Sequence, residues 1–296
     1  MTTGRIASCL VPSLLLIPTL AFAQTASVAP QPLSVGGAAT HVYKSTREGE
    51  LRLHVFSPDR SEPLGRSPAI VFFFGGAWTN GSVTQFARQA KYFAQRGMVA
   101  IVADYRVCGR HRTSAFEAMA DGKSALRWVR AHSAELGIES NRIVAAGGSA
   151  GGHIALSAAV FDAYDEPDED KTISSKPNAL VLFNPAVDTT HSTGSAPDRF
   201  GVRGRDGSPV HHLAAGLPPT LILHGKADTT VPYADVDRYC SGARTFGNQC
   251  QLVGYEGATH GFFNSDTAEG QWYSETLLVA DRFLIKTGYL RAKATK

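Results

Sequence analysis

Three side chains in the second half of the sequence could together carry out nucleophilic attack on a carbonyl carbon. Ser149 lies in the run Gly-Gly-Ser-Ala-Gly of residues 147–151, where glycines permit a sharp turn that lifts a hydroxyl clear of the backbone. Asp228 and His260 follow in that order, each in a loop after an apolar stretch. We predict Ser149 as the nucleophile, His260 as its general base and Asp228 as the carboxylate that orients the base.

Such an attack places negative charge on the carbonyl oxygen, so backbone N–H groups must be aimed at that oxygen in advance. A buried-strand pattern ends in the run Gly-Gly-Ala-Trp of residues 75–78, where small residues let the backbone turn inward. We predict the N–H groups of Gly76 and Ala77, with that of Ala150 after the nucleophile, as the oxyanion hole. Trp78 either lines a substrate pocket or packs against this loop, since aromatic residues at loop ends do both.

The elements that must position these residues are visible in the hydrophobic pattern. Continuous apolar runs alternate with helical segments, which is typical of a parallel sheet covered on both faces. The predicted strands are 69–74, 98–103, 142–147, 179–183, 220–224 and 251–255, and the predicted helices are 84–96, 114–135, 150–161, 233–246 and 268–286. Alternating stretches at 40–44 and 51–56 predict an antiparallel hairpin at the sheet edge. We therefore predict an α/β fold, with an eight-stranded, mostly parallel sheet in one domain of residues 39–296.

Composition bounds the remaining possibilities. The 296 residues are 43% hydrophobic and 19% charged, with a formal net charge of +3, which suits one sizeable core. No cluster of Lys and Arg accompanies that charge, so we predict no nucleic-acid partner. No Cys/His cluster has metal-ligand spacing, and the acidic stretch 162–170 lacks the glycine of a calcium-binding loop. We predict no metal and no cofactor, and we expect the acidic stretch to be a solvated surface loop.

The N-terminus has the pattern of an export signal. Arg5 precedes an apolar core at 10–20, and the Ala-Phe-Ala run at 21–23 matches a cleavage site. We predict a signal peptide over residues 1–23, a flexible leader over 24–38, and a secreted or periplasmic protein that is not held in a membrane after cleavage. The sequence carries no signal for an oligomeric state.

Three cysteines remain in the mature chain. Cys240 lies in a predicted helix and Cys250 opens the next predicted strand. Neighbouring elements joined by a short loop can bring two Cα atoms within disulfide range, and an exported protein meets oxidising conditions. We therefore predict a disulfide between Cys240 and Cys250, in preference to two free thiols, and a free thiol at Cys108.

Two further groups of polar residues have competing interpretations. Asp104, Arg106 and His111 lie near a strand end, and they form either a second catalytic constellation or a structural hydrogen-bonded network, of which we favour the network. His153, on the helix after the nucleophile, is either a second base or a packed helix residue, of which we favour the packed residue.

The motifs resemble the α/β-hydrolase family, in its carboxylesterase and hormone-sensitive-lipase-like branches, over roughly residues 40–290. The resemblance is carried by Phe74-Gly75-Gly76-Ala77-Trp78, Asp104-Tyr105-Arg106, Gly147-Gly148-Ser149-Ala150-Gly151-Gly152, His224-Gly225-Lys226-Ala227-Asp228 and Thr259-His260-Gly261-Phe262. It implies the same triad of Ser149, His260 and Asp228, and it is strongest for secreted bacterial esterases of acetyl-xylan-esterase-like or feruloyl-esterase-like type. The family usually has histidine where this chain has Phe74, so we expect packing to hold the oxyanion loop here.

These features predict a secreted serine carboxylic-ester hydrolase that acts through an acyl-enzyme on short-chain, acetyl-like esters. Its partner would be a small-molecule or oligosaccharide ester. No lid-sized insertion is visible, and segment 185–212 is the only candidate cap. A serine peptidase or amidase would use the same triad, and a non-catalytic binding protein could keep the same scaffold. Comparing the turnover of anilides and esters distinguishes a peptidase from an esterase. Labelling by a fluorophosphonate probe distinguishes an enzyme from a non-catalytic binding protein.

Overall fold

Strands and helices alternate along the chain in a computed structural model that describes residues 28–58, 65–190, 199–264 and 271–292. The strands are β1 (Ala39–Thr46), β2 (Gly49–Phe56), β3 (Ser67–Phe73), β4 (Val99–Ala103), β5 (Ile138–Gly148), β6 (Ala179–Phe183), β7 (Thr220–Gly225) and β8 (Cys250–Tyr255). The α-helices are α1 (Ala87–Gln95), α2 (Cys108–His111), α3 (Ala115–Ala131), α4 (Ala150–Val160), α5 (Tyr233–Thr245) and α6 (Gln271–Lys286). The predicted signal peptide, residues 1–23, lies outside the described residues and stays a prediction.

All eight strands form one sheet in the order β1-β2-β4-β3-β5-β6-β7-β8. β2 pairs antiparallel with β1 and β4, and every other pair is parallel. The predicted eight-stranded, mostly parallel sheet is therefore confirmed. Because β5 lies between β3 and β6, the end of β5 meets both neighbours: Phe73 pairs with Gly147, and Gly148 pairs with Phe183. The loop after β3 and the turn after β5 thus leave the sheet side by side.

Helices cover both faces of the sheet. Every residue of β3, β4, β6 and β7 is buried, as expected where parallel strands are enclosed on two sides. α1 packs on β4, α3 on β1 and β5, α4 on β5, α5 on β8, and α6 on β7. Among the helices of the described ranges, none combines the length and apolar composition that a bilayer crossing requires.

The predicted boundaries differ from the structure at short elements. The predicted helix 84–96 is a 3₁₀ turn at Val83–Phe86 followed by α1, and the Ser82 side chain caps the turn by accepting a backbone N–H bond. Sequence periodicity missed α2, because four residues are too few to show a helical repeat. β5 begins at Ile138 rather than at residue 142, since its first residues pair only with the start of β3.

Part of the predicted flexible leader packs on the domain. Gln31 donates from its Nε2 to the carbonyl of Gly81 at 3.3 Å, and its Oε1 accepts from the N–H of Val83 at 3.1 Å. Val35 is buried. Gln31 and Val35 are therefore anchored on the domain, and the flexible leader over residues 24–38 stays a prediction.

The acidic stretch 162–170 is also not simply a solvated loop. Asp165 lies 2.6 Å from the Nζ of Lys123, and Glu166 lies 2.7 Å from a guanidinium nitrogen of Arg106. Both carboxylate side chains are largely buried. The expectation of a solvated loop is wrong for these residues, because their charges compensate buried cations on neighbouring elements.

Cys240 on α5 and Cys250 at the start of β8 form a disulfide, with Cα atoms 5.4 Å apart. Cys108 keeps a free thiol. Both parts of the cysteine prediction are confirmed, and the bond fastens the helix after β7 to the strand that precedes His260.

Replacing both bonded cysteines, as Cys240→Ala with Cys250→Ala, should lower the free energy of unfolding by about 2–3 kcal/mol, since the bond closes a short loop of the unfolded chain. Urea unfolding of the oxidised protein measures this, with Cys108→Ala as the matched control. A double variant as stable as the Cys108→Ala variant would contradict the expectation.

Candidate active site

Ser149 occupies a strained turn between β5 and α4. Its backbone has φ 53° and ψ −120°, a conformation that a non-glycine residue adopts only where the surroundings enforce it. A Cβ on Gly151 would lie 2.1 Å from the carbonyl oxygen of Phe73, so only glycine fits beside the end of β3. The N–H of Ser149 donates to the carbonyl of Phe183 at 2.9 Å. The turn is therefore fixed from both neighbouring strands.

The three residues predicted to work together do lie together. The Oγ of Ser149 is 2.9 Å from the Nε2 of His260, and the Nδ1 of His260 is 2.7 Å from the Oδ2 of Asp228. The Oδ1 of Asp228 accepts the N–H groups of Thr230 and Val231, at 2.8 and 2.9 Å. The carboxylate is thus held by the backbone on one side and faces His260 with its other oxygen.

The electrostatics of Asp228 suit this arrangement. Burial pushes the pKa of the carboxyl upward, but the hydrogen bond and charge of His260, with the Val231 N–H, outweigh burial and hold the pKa below its usual range. Asp228 is therefore ionised at neutral pH. Its side chain is fully buried, whereas the His260 side chain is 26% exposed, so the site opens to solvent on the histidine side.

Two residues that the sequence analysis did not assign to the site lie against these groups. The amide nitrogen of Asn184 is 2.8 Å from Nδ1 and 3.1 Å from Nε2 of His260, and Asn184 is buried with φ 35°. His224 lies 3.4 Å from Asp228 through its Nε2, and burial lowers the pKa of its imidazole. The signal for Asn184 was its place directly after β6, at the strand edge where Asp228 follows β7.

The predicted oxyanion loop turns its backbone inward. Gly76, Ala77 and Trp78 have φ values of 131°, 52° and 55°, and positive φ in two non-glycine residues marks a loop held under strain. Among the described residues, the N–H groups of Gly76 and Ala77 find no acceptor. The N–H of Ala150 is at the first position of α4, where a helix offers no acceptor. All three predicted donors are therefore available to an oxyanion.

Packing holds this loop where the related motif has histidine, as we expected. The Phe74 ring stacks on Tyr105 with centroids 4.1 Å apart, and the Tyr105 hydroxyl donates to the Phe74 carbonyl at 2.6 Å. Arg110 lies over the Phe74 ring at 5.7 Å and donates to the carbonyl of Gly81 at 2.9 Å. The Gly75 N–H donates to Gln85 at 2.7 Å. The loop is thus braced from the segment that follows β4 and by Gln85.

The network around Asp104, Arg106 and His111 is structural, as the sequence favoured. Arg106 pairs with the fully buried Asp121 at 2.8 Å, and His111 Nδ1 accepts the N–H of Val107 at 2.9 Å. Asp104 accepts the N–H of the next residue at 2.9 Å. Burial raises the pKa of Asp104 from 3.8 to about 6, although the charge of a neighbouring arginine opposes this.

Asp104→Asn should remove a pH-dependent loss of stability. The raised pKa means that folded Asp104 binds its proton more tightly than the unfolded chain does, so the free energy of unfolding falls as pH rises from about 4 to about 6, by up to about 3 kcal/mol. Asparagine stays neutral, so the variant should gain stability relative to wild type across this window. Urea unfolding at stepped pH tests this, with the exposed Asp237→Asn as control. A constant difference at every pH would refute it.

Trp78 lies in an aromatic cluster beneath the loop. Its ring is 7% exposed, and it meets His153 and Phe200 edge-on, each at 5.1 Å. His153 is buried, its Nε2 is 2.7 Å from the carbonyl of Gly207, and burial lowers its pKa to about 4. His153 is therefore a neutral packed residue, as favoured. Trp78 packs the loop, and its role in a substrate pocket stays a prediction.

Within the ranges that the structure describes, no group of three or more His, Cys, Asp or Glu side chains is suited to hold a metal ion. That the protein requires no metal and no cofactor stays a prediction.

Two protein-family models match the chain in succession. The model described as BD-FAE matches residues 53–197, and the dienelactone hydrolase family matches residues 202–282. Esterase 2 of the planctomycete Thermogutta terrifontis, in a solved structure phosphorylated by paraoxon, is 46% identical with a TM-score of 0.82, over 87% of this chain and 97% of its own. The structure of the same esterase with butyrate bound is 44% identical in sequence and has a TM-score of 0.81. The match covers 88% of this chain and 97% of the esterase.

Curated relatives point the same way. Esterase LipC of Mycobacterium tuberculosis is 28% identical, over 79% of this chain and 62% of its own length. The chain therefore spans about three fifths of that relative, whereas it covers 97% of the planctomycete esterase. By this similarity and by the fold, the chain belongs to the α/β-hydrolase superfamily, in its carboxylesterase, hormone-sensitive-lipase-like branch.

Proposed function

We propose that this protein hydrolyses carboxylic esters through an acyl-enzyme formed on Ser149. The observation that carries the proposal is the unbroken hydrogen-bonded series from Ser149 Oγ to His260 Nε2, at 2.9 Å, and from His260 Nδ1 to Asp228, at 2.7 Å. This geometry provides a nucleophile, a base within reach of its proton and a carboxylate that fixes the base.

In the first half-reaction, the Oγ of Ser149 attacks the ester carbonyl while its proton passes to His260. The negative charge that develops on the carbonyl oxygen is stabilised by the N–H groups of Gly76, Ala77 and Ala150. The C–O bond to the alcohol then breaks, and His260 returns the proton to the leaving alcohol oxygen. The product of this step is an acyl ester on Ser149.

In the second half-reaction, His260 takes a proton from water, and the resulting hydroxide attacks the acyl ester. The same three N–H groups receive the second oxyanion. When the bond to Ser149 breaks, His260 returns the proton to its Oγ, and the carboxylic acid leaves. No metal or cofactor enters either half-reaction.

We propose short acyl groups and small-molecule or oligosaccharide esters as substrates. Relatives support the first part: esterase 2 of Thermogutta terrifontis has been solved with propionate and with butyrate bound. The sequence shows no lid-sized insertion, and a long acyl chain needs a covered apolar groove to gain about 0.8 kcal/mol per buried methylene. Residues 191–198 of the candidate cap lie outside the described residues.

A chain-length series tests this proposal. Acetyl and butyryl p-nitrophenyl esters should give higher kcat/KM than esters of ten or more carbons. The acetyl anilide should turn over far more slowly than the ester if the enzyme is an esterase rather than an amidase. A maximum at decanoyl or longer would contradict the short-chain proposal, and comparable anilide turnover would favour a peptidase.

We also propose that the protein is exported to the periplasm or beyond. The export-signal pattern of residues 1–23 supports this. The Cys240–Cys250 disulfide adds support, because structural disulfides persist in oxidising compartments.

A further inference from the structure

A cleft of about 430 Å³ opens beside the oxyanion loop and has Gly76 in common with it. Its volume lies in the range of small-molecule binding sites. The backbone of Gly75 and Gly76 and the side chains of Asn80, Gln85, Arg88 and Asn264 line it. Among the described residues, no carboxylate and no large apolar side chain borders the cleft. Such a lining suits a ligand that is rich in hydrogen-bonding groups or negatively charged.

One wall of the cleft approaches the nucleophile. A Cβ on Gly75 would lie 3.3 Å from the Cβ of Ser149 and 3.6 Å from the Oε1 of Gln85. Gly75 therefore lies against Ser149, and it also lines the cleft together with Gly76, whose N–H is one of the predicted oxyanion donors. A substrate whose carbonyl carbon is at Ser149 would extend one of its two arms into this space.

The opposite wall belongs to the loop of the catalytic base. Gln85 donates from Nε2 to the Oδ1 of Asn264 at 3.2 Å, and Asn264 donates to the carbonyl of Gly261 at 3.1 Å. Gly261 directly follows His260, which returns its proton to the leaving alcohol. The arm beside this loop is therefore the alcohol arm.

Arg88 supplies the only charge that borders the cleft among the described residues. It is exposed, and its guanidinium lies 5.3 Å from the ring centroid of Tyr273. This cation–π contact orients the side chain, and no described residue accepts a hydrogen bond from its guanidinium. Within the described ranges, no carboxylate lies within ion-pair distance of Arg88. A planar guanidinium with free donors matches the two oxygens of a carboxylate.

We propose that this cleft binds the alcohol part of the ester, and that Arg88 favours alcohols that carry a carboxylate group. The inference rests on the proposed function, because it assumes that Ser149 is acylated and that His260 protonates the leaving alcohol. The amide of Asn80 would bind a hydroxyl group of the same alcohol.

Two matched ester pairs test this proposal. In the alcohol pair, 3-acetoxybenzoate and 3-acetoxybenzamide differ only in the charge of the leaving phenol. In the acyl pair, monophenyl fumarate and phenyl fumaramate carry a carboxylate and a neutral amide on the acyl arm, and their trans double bond keeps that group from attacking its own ester. Wild type should prefer the charged member of the alcohol pair by at least about threefold in kcat/KM, the range of a partly solvated ion pair. The acyl pair should show no such preference.

Charge variants at Arg88 then assign the preference. Arg88→Gln should abolish the preference for the charged member of the alcohol pair, and Arg88→Glu should invert it. Between wild type and Arg88→Glu, the ratio of the two kcat/KM values should change by about tenfold or more. Arg47→Glu, on the exposed turn between β1 and β2, changes net charge equally and should leave the preference intact. Equal ratios in wild type and Arg88→Gln, or a preference confined to the acyl pair, would overturn the proposal. Failure of wild type to hydrolyse phenyl acetate would instead overturn the proposed function, and this inference with it.

Discussion

Ser149→Ala should lower kcat for p-nitrophenyl acetate by about 10⁴-fold or more, while the protein stays folded. The variant loses the atom that attacks the carbonyl, and only binding and the oxyanion N–H groups remain to accelerate attack by water. The fold should survive, because alanine keeps the Cβ that the strained turn at φ 53° already accommodates. Initial rates, with circular dichroism and thermal unfolding of the same samples, measure both parts of the expectation.

The matched control is Ser140→Ala, which removes an exposed hydroxyl from β5 and should leave the rate unchanged. A fluorophosphonate probe should label wild type and Ser140→Ala but not Ser149→Ala. This agrees with the phosphorylation by paraoxon of the related esterase from Thermogutta terrifontis. A folded Ser149→Ala variant that keeps more than about a tenth of the wild-type rate would contradict nucleophilic attack by Ser149.

The sheet and the proximity of Ser149, His260 and Asp228 could be predicted because their signals are local. Most of the parallel strands contain a short apolar run, and Ser149, Asp228 and His260 each lie within five residues of the end of a strand. The turn at Ser149 is even more local, since the surrounding glycines are required by contacts such as that of Gly151 with Phe73. The order of strands then brings these loops to one edge, so a correct list of strands suffices to gather the site.

What the sequence did not predict depends on partners that are distant along the chain. Gln31 contacts Gly81, which lies fifty residues later in the chain. The alanine- and proline-rich composition around Gln31 gives no indication of this contact. Glu166 is sixty residues from Arg106, and an acidic run alone does not reveal that its cations are buried on other elements. The composition of a segment does not show whether its side chains are buried, because burial depends on which distant residues the fold places next to them.

Asn184 illustrates the same limit within the site. It follows β6 as Asp228 follows β7, but asparagine after a strand is common in turns and carries no motif of its own. Only the pairing of β6 with β7 shows that its amide reaches both ring nitrogens of His260. The sequence thus predicts which three side chains of the candidate site meet, whereas it does not predict that Asn184 lies against them.

His260→Ala should reduce kcat by about 10⁴-fold or more, and Asp228→Asn by the same factor or less. Without the imidazole, no base lies within reach of the Ser149 proton. Asparagine at 228 would still accept the N–H groups of Thr230 and Val231, but it would turn an amide N–H₂ toward Nδ1 of His260. The imidazole would then carry its proton on Nε2, where it cannot accept the serine proton.

The double variant, His260→Ala with Asp228→Asn, should be no slower than His260→Ala alone, because Asp228 acts only through the histidine and the effects of one catalytic unit are not additive. Asp235→Asn and Asp237→Asn on α5 are the matched controls, since the first is buried and the second exposed. Both should retain near wild-type rates. Inactivation by Asp235→Asn or Asp237→Asn together with a silent Asp228→Asn would show that another carboxylate orients the base. Additive losses in the double variant would show that Asp228 acts on the substrate independently of His260.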